Sequence, residues 1–244
     1  FLMGLFLLST LALAQEQKSQ LYSIVEIVVK PAMVAKYEAA IKKEIELGYP
    51  YAFDTYSSDD FHYYFLTPIE NYAAIEAISK ARIEWAKKIG DQHPALIKSI
   101  EGTVEYFRKG VIRYVPELSY IPKKPRLKPE EKKFLCWSFC YVEFNKEKEF
   151  AGIAKEWVEL YKSKNIGDGW SFYGAESGTE MPFCFFAMSG KSPADFFSED
   201  EKAMKKIGEE KYMELGKKMN ALLRKYEFKM GRPRPDLSNM PKQK

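Results

Sequence analysis

The chain has 244 residues, 46% hydrophobic and 30% charged, with a formal net charge of +4, the balance of one or two globular domains. Lys and Arg are interspersed with Asp and Glu along the predicted helices, so no basic stripe forms and no nucleic-acid partner is expected. Aromatic residues reach 15%, which calls for substantial cores or a ring-lined cavity.

Leu2 to Ala14 is an apolar run ending Ala12-Leu13-Ala14 and followed by Gln15-Glu16-Gln17. This is the pattern of a secretory signal, predicted over residues 1–14 with cleavage near Ala14 and a periplasmic or secreted location. The run falls short of the ~20 apolar residues of a membrane span, and no later stretch is long enough to be one.

Tyr22 to Val29 is a β-branched run that predicts a strand. Pro31 opens a helix with Val34, Tyr37, Ile41 and Ile45 on one face and Gly48 as its stop. Tyr51 to Tyr56 and Phe61 to Leu66 read as a hairpin. Asn71 can cap a second helix carrying Ile75, Ile78, Trp85 and Ile89, broken at Gly90-Asp91 and resumed through Ile100. A strand over Thr103 to Tyr114 completes the set. Residues 121–133, rich in Pro and Lys, predict a semi-rigid linker.

The second half follows the same order. Leu135 to Phe144 predicts a strand, and Phe150, Ile153, Ala154, Trp157, Leu160 and Tyr161 recur at helical spacing. Strands follow at Gly169 to Ala175 and Phe183 to Met188, and Ser198 to Glu201 forms a capping box for a helix that restarts toward Leu223. A final strand lies near Lys225 to Met230, and the tail from Pro233 reads as extended and partly disordered. Val115-Pro116-Glu117-Leu118-Ser119 recurs as Arg234-Pro235-Asp236-Leu237-Ser238, and Val34-Ala35-Lys36 as Ile153-Ala154-Lys155, both at an offset of 119 residues. Val25-Glu26-Ile27 recurs as Val142-Glu143-Phe144 at an offset of 117. Two tandem domains, 21–120 and 134–238, are therefore predicted.

Each half reads β-α-β-β-α-β, the split ferredoxin-like order of an α+β fold. Such a sheet has one bare face, here assigned to Val25, Ile27 and Val29, and a second copy in the same chain can cover it. The predicted architecture is two ferredoxin-like domains whose sheets pack as an intramolecular pseudo-dimeric α/β barrel.

On element order and duplication, the chain resembles the dimeric α/β-barrel superfamily over about Leu21 to Ser238, including monooxygenases of the antibiotic-biosynthesis type and stress-responsive barrels. The superfamily also holds haem-degrading oxygenases and chlorite dismutases. The fold hosts unrelated activities, so it does not fix a function. Haem-degrading members pair a first-strand Asn with a Trp and a His near the second helix. Trp85 and His93 occupy that region here, but the first strand offers Glu26 and the second copy has no His. A haem would rest on His93 alone, beside Pro94, so no cofactor is expected and haem is set aside.

Glu26 lies inside a strand, on the face that carries Tyr22 and Ile24. A carboxylate there needs a partner or becomes a general base. The 117 offset makes Glu143 its counterpart, so Glu26 and Glu143 are the candidate catalytic residues. Tyr22, Tyr51, Tyr64, Trp85, His93, Tyr141, Trp170 and Phe186 are the candidate ligand contacts, with core packing as the competing account. His62 reads as a packed residue. Cys136, Cys140 and Cys184 show no metal-ligand or disulfide-framework spacing, so no metal site is expected. They read as buried thiols, with Cys140 and Cys184 as the one pair that can approach.

The leading functional reading is an exported protein that binds a small apolar or aromatic molecule in a cavity of each domain. One alternative is a cofactor-independent monooxygenase or isomerase using a first-strand glutamate as base. Another is an envelope protein-interaction module. Assembly beyond the internal pseudo-dimer is left open.

Overall fold

The computed structural model describes residues 18–240, so the signal expected over residues 1–14 lies outside the described residues. The first repeat runs β1 Gln20–Val29, α1 Val34–Glu46, β2 Asp54–Ser58, β3 His62–Ile69, α2 Ala73–Ile89, α3 Gln92–Ile100 and β4 Val104–Tyr114. The second runs β5 Phe134–Val142, α4 Glu147–Ser163, β6 Trp170–Ser177, β7 Phe183–Gly190, α5 Pro193–Ile207, α6 Glu209–Asn220 and β8 Leu223–Pro233. Among the described residues no helix is long and apolar enough to cross a membrane.

Helix α5 begins earlier than its sequence implies. Ser192 accepts the Asp195 backbone N–H at 3.2 Å and Pro193 takes the first helical position. A cap followed by a proline with a fixed φ starts the helix there, and the Ser198 capping box falls in its interior.

The strands close into one barrel in the order β1-β3-β2-β8-β5-β7-β6-β4, every neighbour antiparallel. The two repeats are joined edge to edge at the β2–β8 and β4–β6 seams, so no sheet edge is left open. Each seam needs a glycine where backbones meet closely. A Cβ on Gly231 would lie 2.0 Å from the Ser57 carbonyl oxygen, and one on Gly110 2.4 Å from that of Ser177.

Two expectations are corrected by the strand faces. Ile27 and Val29 pack under α1 against Tyr37 and Ile41, so they do not form the bare face. Tyr22, Ile24 and Glu26 are the β1 residues that face the barrel interior. Both faces of β1 are covered, one by helices and one by the opposite wall, so apolar alternation carries no sign of which is which.

The repeat offset along the first strands is also corrected. A register shift falls between Val28 and Val29 in one repeat and between Tyr141 and Val142 in the other, where Val29 faces Val104 and Val142 faces Leu223. Glu26 is therefore matched by Phe139. Glu143 is matched by Lys30: their backbone N–H groups donate to Leu222 and Thr103 respectively, at 2.8 and 2.9 Å.

Helices cover the outside of each repeat. Trp170, Phe172, Phe186, Phe150 and Tyr161 fill the layer beneath α4–α6. In the first repeat, Tyr37, Ile41 and Tyr63 fill one part and Trp85, Leu96 and Ala40 another. Through residue 240, the tail expected to be partly disordered is instead anchored. Leu237 is fully buried in a 3-10 turn, and the Arg234 guanidinium binds Glu38 and, at 2.8 Å, Asp236. Arg126, in the connection between repeats, binds Asp168 and Asp195, each at 2.8 Å.

Candidate functional site

The strands enclose a cavity of about 520 Å³. It is shared by the two repeats, and the helix-covered layers are packed with side chains, so the expectation of a separate cavity in each domain gives way to one common chamber. Its wall is built by strand alternation: every second residue of each strand points inward.

The wall formed by β5, β6 and β7 is aromatic. Trp137, Phe139 and Tyr141 come from β5, Phe183 and Phe185 from β7, and Tyr173 from β6. Their rings touch: Tyr141 and Phe183 have centroids 4.8 Å apart, and Tyr173 stacks on Phe185 at 4.9 Å. Such a surface suits a flat apolar ligand.

The wall formed by β1, β3 and β4 is polar where β1 ends. The Glu26 carboxylate lies 3.7 Å from His62 Nε2 and 3.8 Å from the Arg108 guanidinium. The β-register explains the cluster, since Glu26 sits opposite Tyr64 on β3 and opposite Arg108 on β4. His62 Nδ1 lies 3.1 Å from the Asp60 backbone oxygen, which assigns its proton to that nitrogen and leaves Nε2 as an acceptor facing the Tyr106 hydroxyl at 3.5 Å. Strand β8 adds Lys225, Glu227 and Lys229 to the lining. Lys225 pairs with Glu227 at 2.7 Å and Lys229 with Asp60 at 2.8 Å, so the charge at this end is largely balanced internally.

Tyr64 sits between the two walls. Its ring packs on Trp137 at 5.7 Å and Phe139 at 6.2 Å, and its hydroxyl is buried without a hydrogen-bond partner. Burial, with the Glu26 and Asp60 charges, raises its pKa far above the ordinary tyrosine value, so it keeps its proton and is available as a donor.

The structure distributes the sequence-derived candidates among several places. Glu26, Tyr64 and Tyr141 line the cavity. Tyr22 faces the same interior, edge-on to Tyr173 at 6.1 Å. Trp170 borders the cavity beside the inter-repeat connection, with its indole N–H donated to Leu118 at 2.8 Å. Phe186 belongs to the helix-covered core. Trp85 and His93 pack edge-on at 6.1 Å under the helices of the first repeat, Trp85 donating to the Leu47 carbonyl at 3.0 Å. Tyr51 precedes β2, and its carbonyl accepts from Asn239 at 2.7 Å. Glu143 is exposed beyond the end of β5.

Sequence reasoning passed over His62, Arg108, Lys225, Glu227 and Lys229. A signal was present: Lys225-Tyr226-Glu227-Phe228-Lys229-Met230 alternates strictly. It invites the reading that rings face inward, yet the charges line the cavity while Tyr226, Phe228 and Met230 are exposed.

No family model and no curated protein matches the chain, but solved structures match its fold over nearly their full length. An anthrone oxidase-like protein superposes with a TM-score of 0.59 at 8% identity, covering 89% of this chain and 92% of that one. A protein assigned as a monooxygenase from Fusobacterium nucleatum gives 0.53 at 12% identity, covering 88% and 92%. A mutant chlorite dismutase from Candidatus Nitrospira defluvii gives 0.51 at 10% identity, covering 90% and 94%.

The expectation of no cofactor, with haem set aside, is corrected by these matches. Chlorite dismutases are among the solved structures that match this fold. The donor set of the barrel cavity fits such a group in one place. His62 offers an Nε2 lone pair, with Nδ1 fixed by Asp60 as in oriented metal-binding imidazoles, and Arg108 lines the cavity as a cation for a carboxylate. His93 is not the residue that supplies this fit, since it lies against Trp85 in the helix layer. Among the described residues no cluster of three or more His, Cys, Asp or Glu is placed to hold a metal ion. The chain carries, in a single polypeptide of two ferredoxin-like repeats, a closed eight-stranded barrel whose fold these solved structures share.

Proposed function

We propose that the chain is an oxygenase-type enzyme that takes an apolar, ring-bearing molecule into the barrel cavity and removes a proton from it with Glu26. The observation that carries this reading is the placement of one carboxylate, flanked by His62 and Arg108, on the wall facing an aromatic surface. The rings position a flat substrate, and Glu26 stands where a proton can be taken from it. Arg108 stabilises the ionised carboxylate before the transfer, and His62 Nε2 can accept a hydrogen bond from the protonated acid.

The likeness to an anthrone oxidase-like protein and to an assigned monooxygenase supports this reading over simple binding. For an activated ring methylene, the proton passes to Glu26 and the electron pair stays on carbon. Reaction of that carbanion with O2 converts CH2 to C=O, and the second oxygen leaves as water with the two methylene hydrogens. A haem, when bound, would supply redox chemistry toward oxygen, with His62 to hold the iron and Arg108 to meet a carboxylate.

Oxygen uptake with anthrone as probe tests the proposal. The expected result is one O2 consumed per anthrone, faster than the protein-free control, and a loss of about 100-fold or more in Glu26→Gln. Uptake equal to the protein-free control, together with no measurable binding of the probe, overturns it.

A further inference from the structure

Deep in the cavity one polar atom has no partner. The Tyr64 side chain is 93% buried by its 7% exposure, and its hydroxyl makes no hydrogen bond. Ser58 Oγ lies near enough to lower its pKa as a hydrogen-bonding neighbour, but the Ser58 proton is donated to Asp60 and no contact of full hydrogen-bond geometry joins it to Tyr64. A buried hydroxyl left unpaired is costly, and phenylalanine would fill the same space without that cost. The neighbours explain the ring, which packs on Trp137 and Phe139. They do not explain the oxygen.

We infer that Tyr64 is the hydrogen-bond donor that selects the substrate, and that the substrate class is an uncharged aromatic ketone. The inference rests on the cavity reading above and deepens it. Three observations define the ligand. The opposite wall of Trp137, Phe139, Phe185 and Tyr173 calls for fused or linked rings. The donor calls for an acceptor oxygen. The cations of β8 are already paired with carboxylates, so a neutral acceptor matches this end better than an anion.

The register adds a chemical reason. Glu26 and Tyr64 are directly opposed on neighbouring strands, both facing inward. A ketone oxygen held by Tyr64 places a C–H bond conjugated with that carbonyl, such as the ring methylene of an anthrone, within reach of the base. The C–H bond breaks, its proton goes to Glu26, and the electron pair becomes the double bond of an enolate. The negative charge then rests on the oxygen that Tyr64 already holds, which is where a donor lowers the barrier.

Equilibrium dialysis with 9-fluorenone and fluorene, which differ by the carbonyl group, tests the inference. In the wild type fluorenone is expected to bind about 10-fold more tightly. Tyr64→Phe should erase that preference by weakening fluorenone while leaving fluorene unchanged. Tyr37→Phe is the control: its hydroxyl is also buried and unpaired, but it lies on the inner face of α1, outside the cavity, so the preference should persist. Equal binding of both probes to the wild type, or a preference that survives in Tyr64→Phe, overturns the Tyr64 inference and leaves the cavity reading standing. Failure of both probes to bind overturns the cavity reading and this inference with it. A thermal melt of each variant confirms folding, and because Tyr64→Phe removes an unpaired buried group, its melting temperature should not fall.

Discussion

Glu26, His62 and Tyr64 of the first repeat and Phe139, Phe183 and Phe185 of the second occupy equivalent places in one barrel. The strand registers match them pair by pair: Glu26 opposite Tyr64 as Phe139 opposite Phe185, and Val28 opposite His62 as Tyr141 opposite Phe183. The same backbone thus holds a carboxylate, an imidazole and a phenol on one side and three phenyl rings on the other. Two fused copies permit this division. In a symmetric dimer each wall would have to carry both chemistry and shape, whereas here one repeat can keep the polar set and the other can form the platform for the substrate.

Making the walls alike should break the molecule first. Phe139→Glu would place a carboxylate among Phe183 and Phe185 and opposite Glu227, whose cation Lys225 is already engaged. An uncompensated buried charge costs about 3–5 kcal/mol, so the urea midpoint should fall by that equivalent. A variant of near wild-type stability would show that the second wall is not the dry surface described. Glu26→Phe should be far milder in stability, because Arg108 is about half exposed and can be solvated.

The arms after the last strand of each repeat differ in the same way. Arg234 is 6% exposed and joins Glu38 to Asp236, while Val115 takes the matching place in the first repeat. Arg234→Ala should cost about 2 kcal/mol, since Glu38 keeps the Tyr63 hydroxyl and the half-exposed Asp236 keeps Lys42, and Val115→Ala about 1 kcal/mol as a modest core truncation. The Arg234 guanidinium holds Asp236 down to about 2 and also lowers Glu38. A depressed carboxylate pKa gives stability that is present above the unfolded value of about 4 and lost as pH falls toward the folded one. Denaturation followed from pH 5 to pH 2 should therefore show a steep loss in the wild type and a shallower one in Arg234→Ala. Equal slopes would remove the arm from the account of acid sensitivity.

The smallest effect concerns the thiols. Cys140 and Cys184 face each other across β5 and β7 where the first repeat has Ile27 and Tyr63, and Cys136, Cys140 and Cys184 are all free and buried. Burial pushes the Cys136 thiol up to about 12, which keeps it from forming the reactive thiolate. Alkylation of the folded protein should be slow at all three positions and complete after unfolding. Peptide mapping that joined Cys136 to Cys140 would contradict the strand register.

The duplication and the barrel could be read from the sequence because element order survives drift in side chains, and Glu26 stood out as a carboxylate within a β-branched run. The site's other half could not be read, for definable reasons. A buried first strand is apolar on both faces, so Val25, Ile27 and Val29 were assigned to the wrong side. A three-residue match set the first-strand offset four residues from its true place and raised Glu143, an exposed residue, to the partner of Glu26. Arg108 was hidden because it stands in the unalternating run Glu105-Tyr106-Phe107-Arg108-Lys109, and the β8 charges because an alternating charged and aromatic strand normally turns its rings inward. Only closure of the barrel, with β8 paired to β2 and β5, reverses that choice.

The division of labour between the repeats is tested most directly by comparing Glu26→Gln with Glu143→Gln in the anthrone oxygen-uptake assay. Glu26 lines the cavity beside His62 and Arg108, and Glu143 is exposed past the end of β5. The account predicts a loss of about 100-fold or more for Glu26→Gln, the scale of a missing general base, and wild-type turnover for Glu143→Gln. Equal activity in Glu26→Gln and the wild type, or a loss confined to Glu143→Gln, would contradict it.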